Sequence, residues 1–227
     1  EISLGLVGSE MCIRDRYSAS AEENRSMKNS KRLRISYNAP AILSFVLICF
    51  AVQLLNVLTK GASNRAVFSV YRSSFLDPLA YLRCVCHVFG HADWNHLMGN
   101  MMYILILGPM LEEKYGTSNM VFIMLVTALA TGLANLIFFP NIRLLGASGI
   151  VFAMILLSSI TITEEHTIPL SFILVAAIYI GQQAYQGLFT ADNISQMAHI
   201  VGGMIGSVLG FVMNKYKMSR YERGSHG

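Results

Sequence analysis

The sequence predicts an all-α, multi-pass membrane protein, a bundle of six transmembrane helices. Three observations support this fold class. Hydrophobic residues make up 54% of the 227 residues and charged residues only 13%, a balance unlike that of ordinary soluble domains. The charges concentrate at the two ends of the chain and in a few short breaks. Between the breaks lie uncharged runs near the length of about 20 residues that a helix needs to cross a bilayer.

Each predicted span is bounded by charge or by a turn signal. The first follows a basic cluster, and the second begins at Trp94, a residue suited to the membrane–water interface. Gly116 is expected to stop the second helix, after Glu112 and Lys114, which could pair across the turn. The six runs are Ile35–Thr59, Trp94–Leu111, Gly116–Ile142, Leu144–Thr163, Thr167–Ala191 and Asn193–Asn214.

The basic residues predict the orientation of the bundle. Six crossings place both termini on one side, and loops rich in Lys and Arg favour the cytoplasm. The residues flanking the bundle are Lys28, Lys31, Arg32, Arg34, Lys215, Lys217, Arg220 and Arg223. Both termini are therefore expected in the cytoplasm, although a smaller basic set falls outside: Lys60, Arg65, Arg72, Arg83 and Arg143. The short ends and the lack of a transit peptide favour a bacterial inner membrane.

The beginning of the chain is expected to be foreign or disordered. Leu6–Asp15 reads as the translation of a common transposase-type sequencing adapter, and the apolar patch Ile2–Val7 is too short for a signal peptide. We expect the natural start at or near Met27. The predicted division is a foreign segment 1–26, a basic cytoplasmic segment 27–38, a six-helix domain 39–216 and a cytoplasmic tail 217–227.

The connection between the first two spans is long for a helical bundle. Lys60–Asp93 mixes large apolar residues with charges, and Asp77-Pro78 marks a turn or a helix start. This composition favours a segment that lies partly in the outer membrane interface over an unstructured linker.

Four polar side chains within the spans are expected to meet at one depth. Span two runs inward from the outer side, so His96 and Asn100 lie near its outer end. Spans four and six each have a polar residue at the same level, Ser148 and His199 respectively. Polar groups in a membrane usually face the bundle interior or a water-filled cavity, so the four side chains are candidates for one site.

Small residues predict that spans four and six pack closely. His199, Gly202 and Gly206 follow helical spacing and share one face of span six. Gly149 and Ala153 form a matching small face on span four. Such faces let helix backbones approach closely, which would bring the Ser148 hydroxyl within reach of the His199 imidazole.

These residue types suit acyl transfer. A serine hydroxyl becomes a good nucleophile when a base accepts its proton, and histidine titrates near neutrality. No aspartate lies at a depth suited to orient His199, which predicts a Ser148–His199 dyad. The developing oxyanion needs hydrogen-bond donors. Asn100, His96 and the Ser148 backbone N–H are the candidates.

The chain resembles the rhomboid family of intramembrane serine proteases, over roughly Tyr37–Tyr216. The motifs that carry the resemblance are His96-Leu97-Met98-Gly99-Asn100, Glu112-Glu113-Lys114-Tyr115-Gly116, Gly146-Ala147-Ser148-Gly149 and Ala198-His199-Ile200-Val201-Gly202 with Gly206. The resemblance implies Ser148 as nucleophile, His199 as general base, and an oxyanion hole from Asn100, His96 and backbone amides. It implies cleavage of transmembrane protein substrates in the lipid bilayer, with no cofactor and no metal, and access gated by span five and the loop Gly187–Asn193.

Two positions depart from the family pattern. Leu82-Arg83 stands where the family often has a Trp-Arg pair. An aromatic residue four positions after the serine commonly stacks on the catalytic histidine. Phe152 supplies that ring without a tyrosine hydroxyl. Neither departure removes a proposed catalytic group.

Three other interpretations remain open from the sequence. A catalytically silent rhomboid-like protein could bind membrane clients, although such relatives typically lose the serine or the histidine. A metal site could form from His87, His91 and His96, and a small transporter would require internal symmetry or broken helices. We expect no nucleic-acid partner, and the sequence assigns neither the substrate nor the oligomeric state.

Overall fold

The computed structural model describes residues 37–74, 76–139, 141–160, 168–189 and 198–213. Within these residues the fold is helical, and the extended pairing found there is a single isolated bridge between Val70 and Leu144. The helices are α1 (Pro40–Leu58), α2 (Ala62–Ala66), α3 (Pro78–Cys86), α4 (Trp94–Tyr115), α5 (Thr117–Phe138), α6 (Ser148–Ile160), α7 (Leu170–Phe189) and α8 (Ala198–Met213). The all-α fold class is confirmed.

Two of these helices, α1 and α5, are long and apolar enough to cross a membrane, by length and composition alone. Large apolar side chains remain exposed on their outer faces, as lipid-facing positions require, among them Leu47, Leu54, Phe122 and Leu125. The count of six spans stays a prediction. So do the assignments for 1–26, most of 27–38, the tail 217–227 and residues 190–193, which lie outside the described residues.

The expected stop of the second helix at Gly116 is confirmed. Helix α4 continues past the uncharged run to Tyr115, and the Glu112 and Tyr115 side chains of its last turn are buried at a junction with α1 and α5. One helix boundary differs from the uncharged run. Helix α6 begins at Ser148 instead of Leu144. Leu144 exchanges backbone hydrogen bonds with Val70, and Gly146 has φ +122°, so neither residue can belong to the helix.

The junction at the end of α4 is organised by one buried carboxylate. The sequence suggested Glu112 as a partner for Lys114. In the structure its two oxygens accept hydrogen bonds from the backbone N–H groups of Ala41 and Ile42, each at 3.0 Å. The Thr117 hydroxyl donates a third bond, at 2.8 Å. Glu112 therefore satisfies the free N–H groups at the start of α1 and links α1, α4 and α5.

The described residues of the segment Lys60–Asp93 are folded, and its place in the outer membrane interface stays a prediction. The segment contains α2, α3 and a 3₁₀ turn at His87–Phe89. The buried Arg83 donates to the Ala66 carbonyl oxygen at 2.8 Å and pairs with Asp77 at 2.9 Å. Arg83 thus links α2 to α3, with Leu82 in place of the tryptophan that the resemblance led us to expect.

Helices α6 and α8 lie backbone against backbone. A Cβ atom on Gly202 would overlap the carbonyl oxygen of Gly149, and one on Gly206 would overlap that of Ala153. Most of α6 is buried, so it is the central helix around which α4, α5, α7 and α8 are arranged. The small residues on both faces make this approach possible.

Candidate active site

A cavity of about 720 Å³ opens between α4, α6, α7 and α8. All four polar side chains singled out from the sequence line it: His96, Asn100, Ser148 and His199. The other described residues that line the cavity are mainly apolar, and none is acidic. The cavity thus combines a few polar groups with apolar walls, as small-molecule and peptide sites commonly do.

The beginning of α4 positions His96 and Asn100. The Asp93 carboxylate accepts from the His96 backbone N–H at 2.8 Å and caps the helix. Four residues separate His96 from Asn100, so both lie on one face of α4. The Asn100 side chain is 7% exposed, and its Nδ2 has no hydrogen-bond partner among the described residues. A buried donor of this kind is costly unless something accepts from it.

Gly146 brings the chain leading into α6 against these two side chains. A Cβ atom there would lie 2.8 Å from His96 Cε1 and 2.9 Å from its Nε2, and 3.8 Å from Asn100 Nδ2. Its φ of +122° is also a conformation that other residues rarely adopt. The Gly146 N–H donates to the His87 carbonyl oxygen at 2.9 Å. Glycine is therefore required both for the backbone conformation and for the close approach to His96.

Ser148 is the first residue of α6 and is half-buried. A Cβ atom on the next residue, Gly149, would lie 3.3 Å from the carbonyl oxygen of Ala198, the residue before His199. The chain neighbours of the two candidate catalytic residues are thus in contact. This contact follows from the close approach of α6 and α8.

The His199 imidazole lies against an aromatic ring. Its centroid is 4.3 Å from that of Phe152, with 43° between the ring planes. Phe152 lies one helical turn beyond Ser148 on α6. The Phe152 ring also contacts the ring of Tyr179 on α7, and the two ring centroids are 4.3 Å apart. The sequence pointed to Phe152, but no signal in it distinguished Tyr179 from the other aromatic residues of that span.

Two further histidines lie beside the cavity, in the segment Lys60–Asp93. Burial lowers the pKa of His87 to about 4, and backbone hydrogen bonds only partly oppose this effect. The pKa of His91 is lowered to about 4, first by burial and then by the nearby His96. The His91 and His96 rings meet edge to face, 5.1 Å apart. Both His87 and His91 are therefore neutral near pH 7.

The metal interpretation receives no support from these positions. Across the part of the chain that the structure describes, no three His, Cys, Asp or Glu side chains are grouped closely enough to hold a metal ion. His87 Nε2 lies 3.3 Å from the Thr131 hydroxyl, and His87 Nδ1 lies 3.3 Å from the Arg83 carbonyl oxygen. This geometry fits a structural histidine better than a ligand.

Comparison with known proteins identifies the family. The Rhomboid domain model matches residues 78–216. The chain belongs to the rhomboid family. This rhomboid is an integral membrane protein, and its cavity lies within the matched region.

Curated relatives agree with this assignment. The rhomboid is 29% identical over 184 residues to "Rhomboid protease GlpG" of Yersinia pseudotuberculosis, covering 78% of this chain and 63% of the relative. It is 26% identical over 151 residues to "Rhomboid-like protein 11, chloroplastic" of Arabidopsis thaliana, covering 60% and 54%. With "Rhomboid-related protein 1" of Caenorhabditis elegans it shares 30% over 140 residues, covering 58% and 39%. The chain thus spans less than two thirds of the length of each relative.

Proposed function

We propose that this rhomboid is an intramembrane serine endopeptidase that cleaves transmembrane protein substrates through a Ser148–His199 dyad. One observation carries the proposal. Ser148, His199, His96 and Asn100 come from three helices and line the same cavity. A serine, a base and oxyanion donors around one space are what peptide-bond hydrolysis requires.

The proposed reaction proceeds in two steps. The Ser148 hydroxyl oxygen attacks the scissile carbonyl carbon while His199 accepts the hydroxyl proton. His199 then gives that proton to the departing amine as the C–N bond breaks, which leaves an acyl-enzyme. In the second step His199 accepts a proton from a water molecule, whose oxygen attacks the ester carbonyl carbon. His199 returns the proton to the Ser148 oxygen as the ester C–O bond breaks, which releases the acid product and free Ser148. The cavity, of about 720 Å³, is much larger than the roughly 30 Å³ that one water molecule takes up.

The oxyanion of both steps has three candidate donors. Asn100 Nδ2–H is the best placed, because it is buried and has no partner among the described residues. The second candidate is the His96 ring, which lies close to Gly146, as the Asn100 amide does. The third candidate is the Ser148 backbone N–H, since the first N–H groups of a helix have no partner within the helix. Phe152 would stack on His199, and Gly149, Gly202 and Gly206 would keep the two catalytic helices together.

The location and orientation belong to the proposal too. We propose that the protein crosses the membrane several times, with both termini in the cytoplasm and the cavity toward the outer face. A bacterial inner membrane is the proposed location, and the chloroplastic relative makes an organellar membrane the alternative. Substrates would reach the cavity from the bilayer, past span five.

The proposal is tested by labelling with a fluorophosphonate, which reacts with activated serines. The purified protein should form one adduct, which peptide mapping assigns to Ser148, and Ser148→Ala should abolish both the adduct and cleavage of a transmembrane substrate. Ser159→Ala is the matched control, because Ser159 lies on the same helix with its hydroxyl bonded to the Leu156 carbonyl oxygen. Full cleavage by folded Ser148→Ala would end the proposal. Client binding without labelling of the wild type would favour the catalytically silent alternative.

A further inference from the structure

Tyr179 lies on α7, a helix that supplies none of the proposed catalytic residues. Its ring centroid is 4.3 Å from that of Phe152, with 33° between the planes. Phe152 in turn lies 4.3 Å from His199. Rings from α7, α6 and α8 therefore form one continuous, tilted stack that ends on the imidazole. Aromatic pairs at such distances attract each other beyond simple burial.

The Tyr179 ring is held firmly in this place. The side chain is 7% exposed. A Cβ atom on Gly203 would lie 3.2 Å from Tyr179 Cε1 and 3.1 Å from Leu156 Cδ1, so the small residue in α8 leaves just enough space for the ring. The Tyr179 hydroxyl is buried and has no hydrogen-bond partner among the described residues. Packing of the ring, not a bond to the hydroxyl, therefore accounts for its position.

The Phe152 ring is one of the contacts of the His199 imidazole. In a Ser-His-Asp triad a carboxylate holds the imidazole in the productive orientation. Here no described residue that lines the cavity is acidic. Phe152 is only half-buried, and the Tyr179 ring packs against it.

We propose that Tyr179 is a positioning residue for the general base, which acts by holding the Phe152 ring against His199. This inference rests on the proposed function, since it concerns the orientation of His199 toward Ser148. Because Tyr179 belongs to α7, the orientation of His199 depends on α7 being packed against α6. A displacement of α7 would release Phe152 and with it the imidazole.

The test is a double-mutant cycle read out by the fluorophosphonate labelling rate of Ser148, normalised to folded protein. The variants are Tyr179→Leu, Phe152→Leu and the double variant. Tyr179→Leu should slow labelling roughly 3- to 10-fold, the range expected for an aromatic pair. The double variant should be no slower than Phe152→Leu alone, because residues that act through one another are not additive. If the double variant is slowed by the product of the two single-variant factors, the inference is wrong.

Two further variants separate positioning from other roles. Tyr179→Phe keeps the stack and removes the unpartnered hydroxyl, so it should label at the wild-type rate. A rate as slow as that of Tyr179→Leu would assign the effect to the hydroxyl and overturn the inference. Leu174→Ala, on an exposed part of the same helix outside the cavity lining, should also label normally. If Tyr179→Leu does not fold, Tyr179→Met takes its place, since methionine fills irregular space without an aromatic ring.

The outcomes for the two proposals are distinguishable. Wild-type protein that forms no Ser148 adduct contradicts the proposed function before any Tyr179 variant is made. Wild-type labelling combined with multiplied effects in the cycle leaves the protease proposal intact and refutes the role of Tyr179 alone.

Discussion

Replacing Gly202 with alanine should separate the two proposed catalytic helices by a small and calculable distance. The added Cβ atom would lie 2.9 Å from the Gly149 Cα and 2.8 Å from its carbonyl carbon. Carbon atoms pack at about 3.5–4.0 Å, and the obstacle here is backbone, which cannot rotate away. Helix α8 must therefore retreat by roughly 1 Å, taking His199 with it.

We expect Gly202→Ala to affect the labelling rate of Ser148 more than the free energy of unfolding. A misplacement of about 1 Å at a reacting pair lowers the rate on the order of 10²-fold. Overpacking destabilises by about 1–3 kcal/mol, and the better helix propensity of alanine offsets up to about 1 kcal/mol of this. Gly202→Ala should therefore remain folded while Ser148 labelling slows on the order of 10²-fold.

The assay compares labelling rates and thermal unfolding in the same detergent. Gly210→Ala is the matched control on the same helix, since the closest neighbours of its added Cβ atom would be the ends of flexible side chains, Leu157 Cδ1 at 3.0 Å and Ile160 Cδ1 at 3.2 Å. It should label at nearly the wild-type rate. If folded Gly202→Ala also labels at that rate, the contact between α6 and α8 does not set the geometry of the site.

Two further predictions concern Asn100 and the buried histidines. Asn100→Ala should lower the turnover number roughly 10²-fold with the fold retained, as expected for a main oxyanion donor; an unchanged rate in a substrate-cleavage assay would exclude that role. The free energy of unfolding should decline as the pH falls from about 6.5 to about 4, because the unfolded chain binds protons at His87 and His91 before the folded protein does. For His87 the loss is at most about 3 kcal/mol, and His87→Gln should remove its share of the slope in denaturant titrations at several pH values. If the free energies of unfolding of the wild type and of His87→Gln differ by the same amount at every pH, the low pKa of His87 is contradicted.

The all-α class and the packing faces could be predicted from the sequence because both follow from short-range patterns. The spacing of Gly202 and Gly206 defines a helix face whatever the rest of the chain does. Membership of the family followed from four short motifs in order. Gly116 was correctly expected to stop α4, but the sequence suggested Lys114 as the partner of Glu112, where the structure has a buried carboxylate bonded to the start of α1.

The remaining features depend on contacts between distant parts of the chain. The partners of Glu112 at the start of α1 are 70 and 71 positions away, so no local pattern identifies them. The same holds for Tyr179, whose neighbour Phe152 lies on another helix. The early start expected for α6 has a similar cause, since only the pairing of Leu144 with Val70 shows that the helix has not yet begun.

That pairing has a consequence for protein engineering. Three sets of hydrogen bonds connect the stretch leading into α6 to the segment between α1 and α4. Leu144 and Val70 exchange two backbone hydrogen bonds, and the Gly146 N–H donates to the His87 carbonyl oxygen. The Asn135 side-chain amide donates to the carbonyl oxygens of both Val70 and Ile142. The position of Ser148, the proposed nucleophile, therefore depends on a segment that lies well before it in the chain. A chimera that takes one of these two segments from a relative should take the other as well, because otherwise Ser148 would be displaced from the other residues of the cavity.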